Sequence, residues 1–88
     1  MPTTNVSLGS SWLRVANASD SKVLITLNAP YRVEYATENA GSAPTVFGHL
    51  LGPDTALTRE VIGEGNIWAR IRDGGLKPNT TALLIVTK

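Results

Sequence analysis

The sequence predicts an all-β fold: a small antiparallel β-sandwich or jelly-roll-like barrel of about seven strands. Three observations carry that prediction. Apolar residues fall in short alternating runs, the period-two signature of half-buried strands. Clusters of Gly, Pro, Asn and Asp interrupt those runs about every ten residues, the spacing of sandwiches and small barrels. Helix signals are scarce, and only 17% of the residues are charged.

The elements follow in order. Residues 1–11 (MPTTNVSLGSS) are small and polar and read as an N-terminal extended arm, ordered against a neighbour; residues 12–88 read as a single β domain. A first strand over 12–17 sets Leu13 and Val15 against Trp12, Arg14 and Ala16. A second over 22–27 places Val23, Ile25 and Leu27 on one face. Pro30 breaks the chain, because it has no amide donor and restricts Ala29. A third strand over 31–36 turns Tyr31, Val33 and Tyr35 one way and Arg32 and Glu34 the other. The polar stretch 37–44 (TENAGSAP) is a candidate contact loop.

A fourth strand spans 45–51, with Gly48 marking a bulge or a close backbone approach. The turn 52–55 (GPDT) closes it. Residues 57–62 read as a fifth strand, with a short helix over 54–62 as the alternative, since Leu57 and Val61 stand at i, i+4. Gly63-Glu64-Gly65 reverses the chain into a sixth strand over 66–72, with Ile67, Ala69 and Ile71 toward the core. Loop signals at 73–75 and 77–79 precede a last strand over 81–87 (TALLIVT). That strand is apolar on both faces and must be covered on both. Either it is central in the sandwich, or a second chain covers the face bearing Leu84 and Val86.

Size and charge limit what such a chain can do. Eighty-eight residues make one domain whose core is marginal without a staple. There is no cysteine, and the single histidine, His49, cannot build a zinc site without several carboxylates, so no metal or other cofactor is expected. Association is the remaining route to stability. Eight basic and seven acidic residues leave a net charge of +1, without the basic excess of a nucleic-acid binder. No apolar run approaches the roughly 20 residues of a membrane span, and no signal peptide is apparent. Synthesis in a cytoplasm, without nucleic-acid or membrane partners, is the expectation.

No catalytic constellation stands out, and the chain is not expected to be an enzyme. His49 has no nucleophile in a recognisable elbow, and the carboxylates show no selective pairing. Gly63-Glu64-Gly65 lacks the third glycine and following helix of a phosphate loop. The surface that does stand out is Trp68, Arg70 and Arg72, which share a strand face at i, i+2 and i+4. Trp and Arg are enriched at the energetic centres of interfaces, and a ring beside guanidinium groups suits cation–π stacking. The alternative is a solvated face whose arginines cover Trp68. With Leu84 and Val86, these three are the candidate interface residues. An exposed Trp68 with Tyr31 or Tyr35 could equally form a stacking platform for a glycan or other ligand.

The run GHLLGPDTALTREVIGEGNIWARI (48–71), the terminal LLIVTK (83–88) and the opening WLRVANAS resemble small all-β structural proteins of tailed-bacteriophage virions, of the capsid decoration or cement type. The resemblance implies a virion protein made in the host cytoplasm. It would be a homo-oligomer, a trimer by preference, docking on the major capsid protein. A position at the neck, tail or fibre base is the variant it also allows. It carries over no site residue.

Overall fold

The computed structural model describes residues 3–28, 32–52, 55–72 and 81–88. The eight strands in them are β1 (Thr3–Leu8), β2 (Leu13–Ala16), β3 (Leu24–Asn28), β4 (Val33–Glu38), β5 (His49–Leu51), β6 (Ala56–Thr58), β7 (Asn66–Ile71) and β8 (Ala82–Thr87); one helical turn, α1 (Arg59–Ile62), follows β6. The expected break at Pro30, the position of Tyr31, the centre of the 52–55 turn and the loop signals at 73–75 and 77–79 lie outside the described residues.

Two four-stranded antiparallel sheets form, in the orders β1-β8-β3-β6 and β2-β7-β4-β5. The pairings are nested: β1 with β8, β2 with β7, β3 with β6, β4 with β5. A ribbon closed at the β4–β5 end and rolled up brings β8 beside β3 and β7 beside β4, as observed. This nesting is the jelly roll, eight strands in two Greek keys.

The core lies between the sheets and follows strand alternation. β8 contributes Ala82, Leu84 and Val86, and β3 contributes Ile25 and Leu27. From the other sheet come Val33 of β4, Leu51 of β5 and Ile67, Ala69 and Ile71 of β7. Two strands depart from simple alternation. In β2 the register shifts between Arg14 and Ala16, a bulge that buries both Val15 and Ala16. The 56–62 segment divides between both expected states: β6 pairs with β3 over three residues, and the chain then coils into α1, which has no buried residue.

Residues 3–8 are extended, but they are not an arm outside the domain. They are β1, a strand of the domain's own sheet, paired with β8 from Thr3↔Thr87 to Leu8↔Ala82. The cause is the alternation of Val6 and Leu8, which places Leu8 fully in the core and packs Val6 against it.

β8 takes the first of its two expected states, central in the sandwich, and the expectation that Leu84 and Val86 form an interface is corrected. Leu84 and Val86 are completely buried, so they cannot contact another chain. β8 is central, flanked by β1 and β3, and the face bearing Leu84 and Val86 is the inner one. Leu83 and Ile85 hold the outer face and are half-buried.

Candidate docking face

The outer face of the β2-β7-β4-β5 sheet carries the distinctive chemistry. Alternation along β7 turns Trp68 and Arg70 outward, and Arg72 follows one residue beyond its end. Pairing sets Glu34 of β4 opposite Arg70 and opposite Leu50 of β5, and sets Arg14 of β2 opposite Trp68.

Glu34 is the centre of this face. By alternation it belongs with solvent, yet its side chain is fully buried. A buried carboxylate is tolerated only when its charge and lone pairs are satisfied. Here Oε1 accepts a hydrogen bond from Arg70 Nε, and Oε2 accepts one from the Gly48 amide at 3.0 Å. Arg72 Nε stands 3.7 Å from Oε2. Gly48 can approach because it has no side chain: a Cβ there would lie 2.2 Å from the Tyr35 carbonyl oxygen and 3.2 Å from the Trp12 ring.

Aromatic rings cover the arginines. The Arg70 guanidinium lies 4.4 Å from the Trp12 ring centroid, and that of Arg72 lies 4.7 Å from Phe47. Arg14 lies 5.6 Å from Trp68. These are cation–π distances. At one end, Glu38 accepts hydrogen bonds from Trp68 Nε1 at 2.7 Å, Asn66 Nδ2 at 3.0 Å and the Gly41 amide at 2.6 Å. The Trp68 bond is the main cause that holds the Glu38 carboxyl below its ordinary value; partial desolvation opposes it, and the bonds from Asn66 and the 40–41 backbone add to it.

The structure brings Trp68, Arg70 and Arg72 together on one face, as their spacing implies. Leu84 and Val86 lie in the core. Trp12, Glu34, Phe47 and Leu50 complete the face and were not evident as site residues. A glutamate between Val33 and Tyr35 reads as an ordinary solvent-side residue, and only the Gly48 signal pointed to the close approach that seals it. Phe47 is 75% exposed, its sequence neighbour Val46 64%, and Leu50 of β5 52%. Tyr35 packs against the core and stacks on His49 at 5.6 Å, so it does not join Trp68 in a platform.

A second feature, an open depression of about 500 Å³, lies beside Arg59. Its guanidinium donates to the backbone carbonyls of Asn17, Asp20, Gly63 and Gly65 at 2.7–3.0 Å, which assigns Arg59 to holding two loops together. Among the described residues no group of three or more His, Cys, Asp or Glu is placed to hold a metal ion.

No protein-family model, curated protein or solved structure matches the chain significantly.

Proposed function

We propose that the chain is a non-enzymatic adhesion module, a virion structural protein that decorates or cements a tailed-phage capsid through the outer face of the β2-β7-β4-β5 sheet. One observation carries this reading: exposed apolar residues, Phe47 against Arg72 and Leu50 opposite Glu34, stand on a face whose arginines and rings are locked around a buried carboxylate. Exposed anchors on a preorganised support are what a docking surface requires, because little side-chain entropy remains to be lost on binding. Glu34 is buried against Arg70 and offsets its charge, and Glu38 stands at the Trp68 end of the face, so Arg14 and Arg72 supply the positive charge that remains. The partner surface that fits sets acidic groups opposite Arg14 and Arg72, around an apolar pocket. The jelly-roll topology supports the setting by analogy, since it recurs in viral capsid domains.

Cosedimentation with capsids of the encoding phage, prepared without this chain, tests the reading. Wild-type protein should pellet with them. Phe47→Ala and Arg72→Glu should each weaken binding at least about tenfold while melting stays near wild type. Full binding by the double variant would sink the assignment of this face.

Jelly rolls also occur in lectins, and the Phe47 ring beside Arg72 could stack on a sugar. Tryptophan fluorescence during titration with a glycan panel checks this second reading. A saturable shift lost in Phe47→Ala would favour it over capsid docking.

A further inference from the structure

We propose that two copies of the chain associate edge to edge through β1, about a two-fold axis normal to the β1-β8-β3-β6 sheet, to give one continuous eight-stranded sheet. The inference does not rest on the docking face.

An unpaired strand edge offers a row of backbone donors and acceptors to any other strand, and folded proteins usually blunt such edges with short strands, bulges, prolines or charges. The four edges here are treated unequally. β5 and β6 have three residues each, and β6 runs straight into α1. β2 has four and carries a bulge. β1 has six residues, Thr-Thr-Asn-Val-Ser-Leu, with no charge and no proline, and its register with β8 is unbroken. It is the one edge among the described strands with none of these protections.

The occupant that fits is a second β1. Antiparallel strands related by a two-fold place the same six residues on both sides, and residues directly opposite must point to the same face. An axis through Asn5 satisfies that condition: Asn5 meets its own copy, Thr3 meets Ser7, and Thr4 meets Val6. The polar outer row then continues across the seam, and so does the inner row. Thr4 is exposed and Val6 half-buried although both lie on the core side of the sheet, and the seam would cover them. A charged partner strand is not called for, because β1 presents no charge. The outer face that would run across both copies is likewise uncharged: its rows are Thr3-Thr87-Leu24-Thr58, Asn5-Ile85-Thr26-Ala56 and Ser7-Leu83-Asn28. This symmetry is a dimer, where the resemblance to decoration proteins favoured a trimer.

Sedimentation velocity over a concentration series tests the proposal. Wild-type protein should show a reversible equilibrium between the chain mass and twice that mass. Asn5→Lys and Asn5→Asp should each weaken it about fivefold or more, since like charges directly opposite repel. An equimolar mixture of the two variants should regain dimer, as opposite charges then face each other. Asn5 is exposed, so circular dichroism and melting should stay unchanged. If either variant misfolds, Asn5→Cys in the otherwise cysteine-free chain should give an oxidised dimer rapidly. A wild-type monomer at every concentration would overturn the proposal and leave the edge to a strand from another protein. So would dimerisation of Asn5→Lys at wild-type strength, no recovery in the mixture, or no oxidised dimer from Asn5→Cys.

Discussion

At the scale of single residues, Glu34 governs the proposed docking face. Removing its charge leaves Arg70 and the Gly48 amide facing a weaker acceptor inside the structure. Breaking one side of a buried, hydrogen-bonded pair costs about 3–5 kcal/mol, and part of that is the penalty of the stranded partner. Glu34→Gln should therefore lower stability by about 3 kcal/mol in urea unfolding, and a double-mutant cycle with Arg70→Ala should show coupling of at least about 1 kcal/mol. Additive effects would mean that the two side chains are neighbours without being partners. Glu38 gives the pH counterpart. Its folded-state carboxyl is held below its ordinary value, chiefly by the Trp68 indole. A depressed carboxyl contributes stability above its unfolded value and loses it as pH falls through the folded value. Indole fluorescence should accordingly change as pH drops below about 4.5, and the transition should be absent in Glu38→Gln. A transition that survives in Glu38→Gln would assign it elsewhere. Why only part of this face could be read in the chain is also a residue-scale matter. Trp68, Arg70 and Arg72 share a strand, so spacing alone joins them. Glu34 and Phe47 join them through strand pairing and loop closure, which no local pattern encodes.

Among elements, legibility tracked how much each owed to its own alternation. β3, β4 and β7 run within two residues of the expected bounds, and their inner faces hold Ile25, Val33, Ile67 and Ile71 as expected. β1 is hard to read as a strand because its run of small polar residues weakens the period-two signal, leaving Val6 and Leu8 as its two apolar marks. Residues 56–62 were ambiguous because two states share them. β8 is apolar on both faces, so sequence could not choose its inner side; the chain reversal and its pairing with β1 and β3 did. Truncating each face checks the assignment. Leu84→Ala should cost about 2–5 kcal/mol as a core cavity, whereas Leu83→Thr, on the half-buried outer face, should cost less than about 1 kcal/mol. Equal costs would mean that both faces of β8 are core. α1 poses a different question, since it buries nothing and has no side-chain cap. Its place depends on Arg59, whose four carbonyl acceptors span two loops. Arg59→Lys keeps the charge but cannot reproduce a planar fork. Amide exchange at 17–20 and 63–65 should quicken in Arg59→Lys nearly as much as in Arg59→Ala, and full protection in the lysine variant would show that charge alone suffices.

The molecule as a whole is a slab of 35 × 26 × 18 Å with unlike sides. The β1-β8-β3-β6 sheet shows the solvent an uncharged face rich in Thr, and the opposite sheet shows arginines and rings. The proposed two-fold is normal to the first sheet, and rotation about such an axis does not turn a slab over. Both docking faces of the dimer would therefore point the same way, spaced by the width of the joined sheet. A target with many copies, such as a lattice, could engage both at once, whereas an isolated target molecule could engage only one. The second contact then forms at the effective concentration set by the rigid seam, which typically strengthens binding by a hundredfold or more with no new contact surface. Asn5→Lys lies on the edge strand, away from Trp68, Arg70 and Phe47, so it should separate the two effects. Its affinity for a multi-copy surface should fall at least about fivefold, and by about a hundredfold where the dimer is lost altogether, while its affinity for a soluble single copy of the same target protein stays at the wild-type value. Surface plasmon resonance with the target immobilised densely and then sparsely would measure both. Equal losses at both densities would place β1 within the contact itself, and no loss at either would mean that the copies dock independently.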